Sequence, residues 1–247
     1  MEIFTQQGGE FLSRWGHYLS GVTWIGLLYY FNFVQVPAFA EFDAGARTEA
    51  IRKLAPRALW WFRWAAVATV ATGLLILGFQ DVLFDNMGYW KTTPGISIST
   101  GILLALVMFG NVWGIIWRNQ KVVIASAEGV AAGREADPNA AAAGRRGLLA
   151  SRTNTFLSVP MLFFMAATSH FATLGGFVAQ PDGGKRLTWW IVVLVVVLLV
   201  ELNGLGKLAG PGPGGHTKYL DSHKNTIIAG FVLAAVFYLM FEICFGR

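Results

Sequence analysis

Apolar residues fall into six long runs separated by short polar connections: roughly 13–36, 58–79, 96–117, 154–178, 188–206 and 225–245. A helix needs about 20 apolar residues to cross a hydrocarbon core of about 30 Å, and each run is near or above that length. The pattern predicts an all-α integral membrane protein, a bundle of about six transmembrane helices forming one domain over 1–247. The stretch from Trp189 to Val200 is almost pure Val, Leu and Ile and is expected to face lipid most fully. Gly110 and Gly114 form a small-xxx-small pair that predicts close packing of the third helix. Between the third and fourth runs, 119–153 is rich in Ala and Gly and reads as a short excursion with some helix. Gly210-Pro-Gly-Pro-Gly-Gly215 reads as a turn or loop. Val36-Pro37-Ala38-Phe39-Ala40 resembles a signal-peptidase site. No cleavage is expected there, because the apolar run starts late and Glu2 and Glu10 stand where basic residues belong.

Composition agrees with the pattern. Apolar residues make up 55% and charged residues 13%, so a soluble fold is excluded. The implied partner is the lipid bilayer, and no nucleic acid is expected. The distribution of charge adds orientation. Arg47, Arg52, Lys53 and Arg57, then Arg118, Lys121, Arg134, Arg145, Arg146 and Arg152, then Lys207, Lys218 and Lys224 fall on one side of the bundle. Only Arg14, Lys91, Lys185, Arg186 and Arg247 fall on the other. Lys and Arg concentrate in cytoplasmic loops, so both termini are expected in the periplasm of a multi-pass protein of the bacterial inner membrane. Trp15, Trp60, Trp61, Trp64, Trp90, Trp117, Trp189 and Trp190 lie near span ends and read as an aromatic belt. The single cysteine, Cys244, allows no internal disulfide, no CxxC metal site and no CxxCH haem attachment.

Two of the four histidines carry candidate chemistry. His216 and His223 lie in the last basic loop and read as solvated residues. His17 and His170 lie inside apolar runs, where ionisable side chains are costly and face the bundle interior. Both are about six or seven residues from the same membrane face, roughly 9–11 Å deep. His17 shares a helical stripe with Gly21, Trp24, Leu28, Asn32 and Gln35, and His170 lies above Ala166, Phe163 and Val159. Gly21 and Ala166 leave room one turn from each imidazole for a flat macrocycle. Facing imidazoles in a helix bundle are a usual way to hold a haem iron, so His17 and His170 are candidate axial ligands of haem b. The alternative is that each histidine only hydrogen-bonds a neighbouring helix. A zinc site needs more ligands than these two, and Glu242 is the one acid near their depth.

A second group of polar residues lies toward the basic ends of the helices: Asn32, Gln35, Arg63, Asn111, Arg152, Asn154, Glu201 and Asn203. Glu201 needs a partner, and Arg63 or Arg152 is expected to supply it. The group reads either as interhelical anchoring or as a polar pocket for a quinone, a small substrate or a proton.

Several blocks resemble a known family. Arg14-Trp15-Gly16-His17 with Gly21-Val-Thr-Trp24-Ile-Gly26 is similar to the opening of the membrane-bound urate hydroxylase family, also called the urate oxidase N-terminal domain. So are Pro56-Arg57-Ala58-Leu-Trp60-Trp-Phe-Arg63-Trp64, Asn111-Val-Trp113 with Ile116-Trp117-Arg-Asn119-Gln120-Lys121, and Ser151-Arg152-Thr-Asn154 with Ser158-Val-Pro160-Met161. These blocks cover about 10–175 in order. The resemblance implies an inner-membrane oxidoreductase of purine catabolism that oxidises urate and passes electrons to cytochrome c. In the family's full-length form a cytochrome c domain follows, and this chain has no CxxCH, so a separate periplasmic c-type cytochrome or a larger membrane redox complex is expected to take the electrons. The alternative reading is a non-catalytic membrane subunit of a respiratory or other redox complex.

Overall fold

A computed structural model describes residues 2–83, 88–170 and 181–246, and all its described secondary structure is helical. Ten α-helices are described: α1 (Gln6–Tyr29), α2 (Val36–Glu41), α3 (Ala44–Lys53), α4 (Ala55–Phe79), α5 (Thr93–Asn111), α6 (Trp117–Ala131), α7 (Ala140–His170), α8 (Gly183–Gly204), α9 (Lys218–Asp221) and α10 (His223–Phe245). The starts follow local chemistry. The Thr5 hydroxyl caps α1 by accepting from the Gly8 amide, and Asp43 caps α3 through the Ala46 amide. Asp182 caps α8 by accepting from Gly184 and Lys185. Those amides hold the Asp182 carboxyl below the usual carboxylate range. Pro56 and Pro94 stand in the first turns of α4 and α5, where a missing N–H costs nothing.

Two π-helical segments interrupt the α-helical hydrogen bonding without ending the rods. Tyr30–Gln35 joins α1 to α2, and Val112–Ile116 joins α5 to α6. Five helical stretches are therefore long and apolar enough to cross a membrane among the described residues: Gln6–Glu41, Ala44–Phe79, Thr93–Ala131, Gly183–Gly204 and His223–Phe245. The expected first and third spans are thus parts of longer rods. The 119–153 connection carries helix as expected, and more of it: the end of α6 and the start of α7 fill all but 132–139.

The fourth expected span falls on α7, and its part beyond His170 lies outside the described residues. What is described of α7 is less apolar for a physical reason. This helix packs against α1, α5, α6, α8 and α10, so its neighbours are mostly other helices. Ser151, Asn154, Thr155 and Ser158 are all buried there. Polar side chains in that position bond across helices, where small residues and amides serve as glue. Ser97 donates to the Phe164 carbonyl, and Tyr29 and Ser158 share a hydrogen bond of 2.9 Å. The apolar core surrounds this axis. Trp24, Leu28 and Phe31 meet Phe62 between α1 and α4, while Trp189 sits among Phe164, Phe237, Phe241 and Phe245.

Two packing expectations need correction. A Cβ built at Gly110 or Gly114 meets nothing within 4 Å, so those glycines are not a packing seam. Close approaches between helices are at Gly9, against Phe79, at Gly101, against Met165, at Gly204, against Thr153, and at Gly230, against Val159 and the Phe156 carbonyl. Trp189 is not in an interfacial belt: it is fully buried, and its indole donates to Thr100. Trp15, Trp60, Trp61 and Trp64 are exposed, as a belt requires.

The basic connections share one end of the bundle. α3 packs on α6, α9 packs on α7, and Arg145 on α7 pairs with Asp221 on α9 at 2.6 Å.

Candidate functional site

The histidine pair is positioned by α1, α4 and α7. α1 and α7 run antiparallel, and two bonds fix their register: Tyr29 with Ser158, and Asn32 Nδ2 donating to Ser151 Oγ at 2.8 Å. His17 lies twelve residues before Tyr29, and His170 lies twelve after Ser158. Each is thus about 18 Å along its helix from a shared reference point, in the same direction.

The side chains of the pair differ in surroundings and agree in tautomer. His17 is half-buried and turned toward α4. Its Nδ1 donates to the Thr69 carbonyl at 2.9 Å, with Thr72 Oγ1 at 3.2 Å. Its ring lies 3.3 Å from where a Cβ on Gly73 would stand, so Gly73 makes the close approach of α4. His170 is exposed at the end of the described part of α7, and its Nδ1 donates to the Ala166 carbonyl at 3.0 Å. A carbonyl only accepts. In each neutral imidazole the proton is therefore on Nδ1 and the lone pair on Nε2. Metal-ligating histidines usually donate their other ring nitrogen in this way, which fixes the ring and raises its basicity. Gly21 has open space where a side chain would be, whereas Trp24 is fully buried in the α1–α4 core. Among the described residues no three His, Cys, Asp or Glu cluster as a metal site would need.

The polar group toward the basic end is not one pocket. Asn111, Asn154 and Glu201 do come together. Asn111 Nδ2 donates to both Asn154 Oδ1 and Glu201 Oε1 at 2.9 Å, and Asn154 Nδ2 donates to the Met108 carbonyl. Asn32 instead serves the α1–α7 contact. Neither Arg63 nor Arg152 pairs with Glu201 among the described residues. Arg152 donates to the Leu220 carbonyl at 2.7 Å, and the Arg63 guanidinium lies 3.3 Å from the ring centre of Trp117. The amides of Asn111 and Asn154 occupy the ground between α5, α7 and α8, so Glu201 meets a neutral donor and each arginine finds a carbonyl or a ring. Asn203 donates to the His216 carbonyl and the Tyr219 hydroxyl, and so belongs to the loop. His216 is likewise half-buried, with Nε2 bonded to the Gly210 carbonyl, rather than solvated.

Sequence reasoning missed Thr69, Thr72 and Gly73 as the companions of His17. Their spacing, small or hydroxylated at i, i+3 and i+4, marked one face of α4 and was a usable signal.

Residues 90–203 match the family model described as Urate oxidase N-terminal. The match makes this segment similar to that family over 114 of the 247 residues. It holds Asn111, Arg152, Asn154, His170 and Glu201, and it begins after α1 and α4, so His17 and Arg63 stand outside the urate oxidase N-terminal segment. No curated protein and no solved structure matches the chain.

Proposed function

We propose that this chain is the haem b-bearing membrane part of a urate hydroxylase-type redox system in the bacterial inner membrane, with His17 and His170 as the axial ligands. The observation that supports this most is the shared tautomer at a shared depth: both imidazoles give their Nδ1 proton to a main-chain carbonyl. The donor chemistry of the two residues fits haem iron. Haem, when bound, supplies one-electron transfer. The chain's own part is to hold the two rings. Thr69 and Thr72 fix His17 from α4, Gly73 lets α4 approach its ring, the Ala166 carbonyl fixes His170, and Gly21 leaves open space one turn from His17.

The matched family supports urate as the electron donor, and the charge bias supports a periplasmic histidine end. A c-type cytochrome there, or a larger complex, is the proposed acceptor. Membranes containing the chain are expected to reduce an added c-type cytochrome when urate is supplied. His17→Ala or His170→Ala should stop that reduction while the protein still inserts, because the flanking apolar runs remain long enough to span. Reduction that is equally fast in both variants contradicts the proposal.

A further inference from the structure

We propose that Arg63, Trp113 and Trp117 form a binding site for an oxyanion, a phosphate or a carboxylate, near the basic end of the bundle. Arg63 is 8% exposed, one of the most enclosed charges among the described residues. Its guanidinium stacks on Trp117 and lies 5.5 Å from the ring centre of Trp113. A guanidinium carries five N–H donors. None of them donates to an acceptor among the described residues, none of the described carboxylates lies within ion-pair distance, and Nε is fully buried. The indole Nε1 of Trp113, on a different element, is also fully buried with no acceptor.

Two buried donors, on residues in contact with each other and from two helices, thus have nothing among the described residues to receive them. Leaving buried donors unmet is costly, and more so for a charge away from water. Stacking on Trp117 compensates only the face of the cation. The fork of donors at the guanidinium's edge is left for another acceptor. That fork suits two oxygens of one anion, with the indole N–H as a further donor. The location adds charge complementarity. Lys121 stands 5.8 Å from the Trp117 ring centre. The site is separate from the histidines, since Arg63 is in the half of α4 nearer its start and His17 meets Thr69, Thr72 and Gly73.

A phosphate on a lipid headgroup and a free oxyanion share this chemistry, and two measurements on the full chain separate them. In nanodiscs of phosphatidylcholine, inorganic phosphate is titrated while tryptophan fluorescence is recorded. In nanodiscs of mixed phosphatidylcholine and phosphatidylglycerol, native mass spectrometry counts the lipids retained after release. Saturable quenching by phosphate identifies a soluble ligand, and selective retention of phosphatidylglycerol identifies a lipid. Trp113→Phe removes the indole N–H and keeps the ring, so it should weaken whichever binding is seen by about tenfold, and Arg63→Lys, which keeps charge without the fork, by at least as much. If Arg63→Lys does not fold, Trp113→Phe alone decides. Failure of both probes to bind the wild type, or binding unchanged by Trp113→Phe, overturns the proposal and leaves a water as the occupant.

Discussion

At the scale of single residues, the decisive fact is which atom meets which. Glu201 was legible in the sequence as a carboxyl needing a partner, but the partner's identity was not. Buried carboxyls accept from amides as well as from cations, and only the packing of α5 against α7 and α8 brings Asn111 within 2.9 Å. The consequence reverses an expectation based on an ion pair. Glu201→Gln retains an oxygen that can accept from Asn111 and should change the melting temperature in detergent little. Asn154→Ala removes a fully buried amide that serves both Asn111 and the Met108 carbonyl, and should destabilise by about 1–3 kcal/mol. Equal, large losses in both variants would contradict this assignment. The histidines show the opposite case. Their depth was readable from the apolar runs, because helix rise is fixed, yet the carbonyls that set their tautomer belong to Thr69 and Ala166 and depend on rotamer and neighbour.

At the scale of elements, spans were legible because periodic apolar runs directly report what faces lipid. The π-helical segments were not, since no side-chain pattern distinguishes a slipped hydrogen bond from a regular one. The described part of α7 is not among the helices apolar enough to cross a membrane, and its buried Ser, Thr and Asn make sense once it is seen as the hub. The contact with α10 is tested at Gly230, where a Cβ would come within 2.9 Å of Val159 Cγ2 and 3.0 Å of the Phe156 carbonyl. Gly230→Ala should therefore destabilise by about 1–3 kcal/mol, measured by thermal unfolding in detergent. Gly110→Ala, with open space, should be neutral or slightly stabilising.

The loop between α8 and α10 is latched to α7 by Arg145. That side chain bonds both the Pro211 carbonyl and Asp221, and Thr217 also donates to Asp221. Burial pushes the Asp221 carboxyl up, but the hydrogen bonds from Arg145 and Thr217 and the nearby arginine charges outweigh it, so the carboxyl is held below its ordinary value. A depressed carboxyl contributes stability that is complete above the unfolded value of about 3.9 and is lost as pH falls through the lower folded value. Proteolysis of the 206–217 segment should thus rise as the pH is lowered through that acidic window, and Asp221→Asn should be cut readily at neutral pH with a flatter pH response. A wild-type cleavage rate independent of pH would count against the latch.

At the scale of the whole molecule, an all-α membrane bundle with its basic connections at one end was readable from hydropathy and charge alone. Those two properties are set by the bilayer, which acts on every helix alike. The functional reading needs more, because it requires His17 on α1 and His170 on α7 to act as one site, and no pattern along the chain encodes that pairing. The urate oxidase N-terminal match covers α7 and leaves α1 outside, so the pairing is the central claim to test. The most direct measurement is the oxidised and dithionite-reduced absorption spectrum of protein purified from cells supplied with haem. The account predicts a Soret band of a six-coordinate, low-spin b-type haem, reduced or shifted to high spin in His17→Ala and in His170→Ala and unchanged in His223→Ala. No Soret band in the wild type, or a spectrum that neither His17→Ala nor His170→Ala alters, would contradict it.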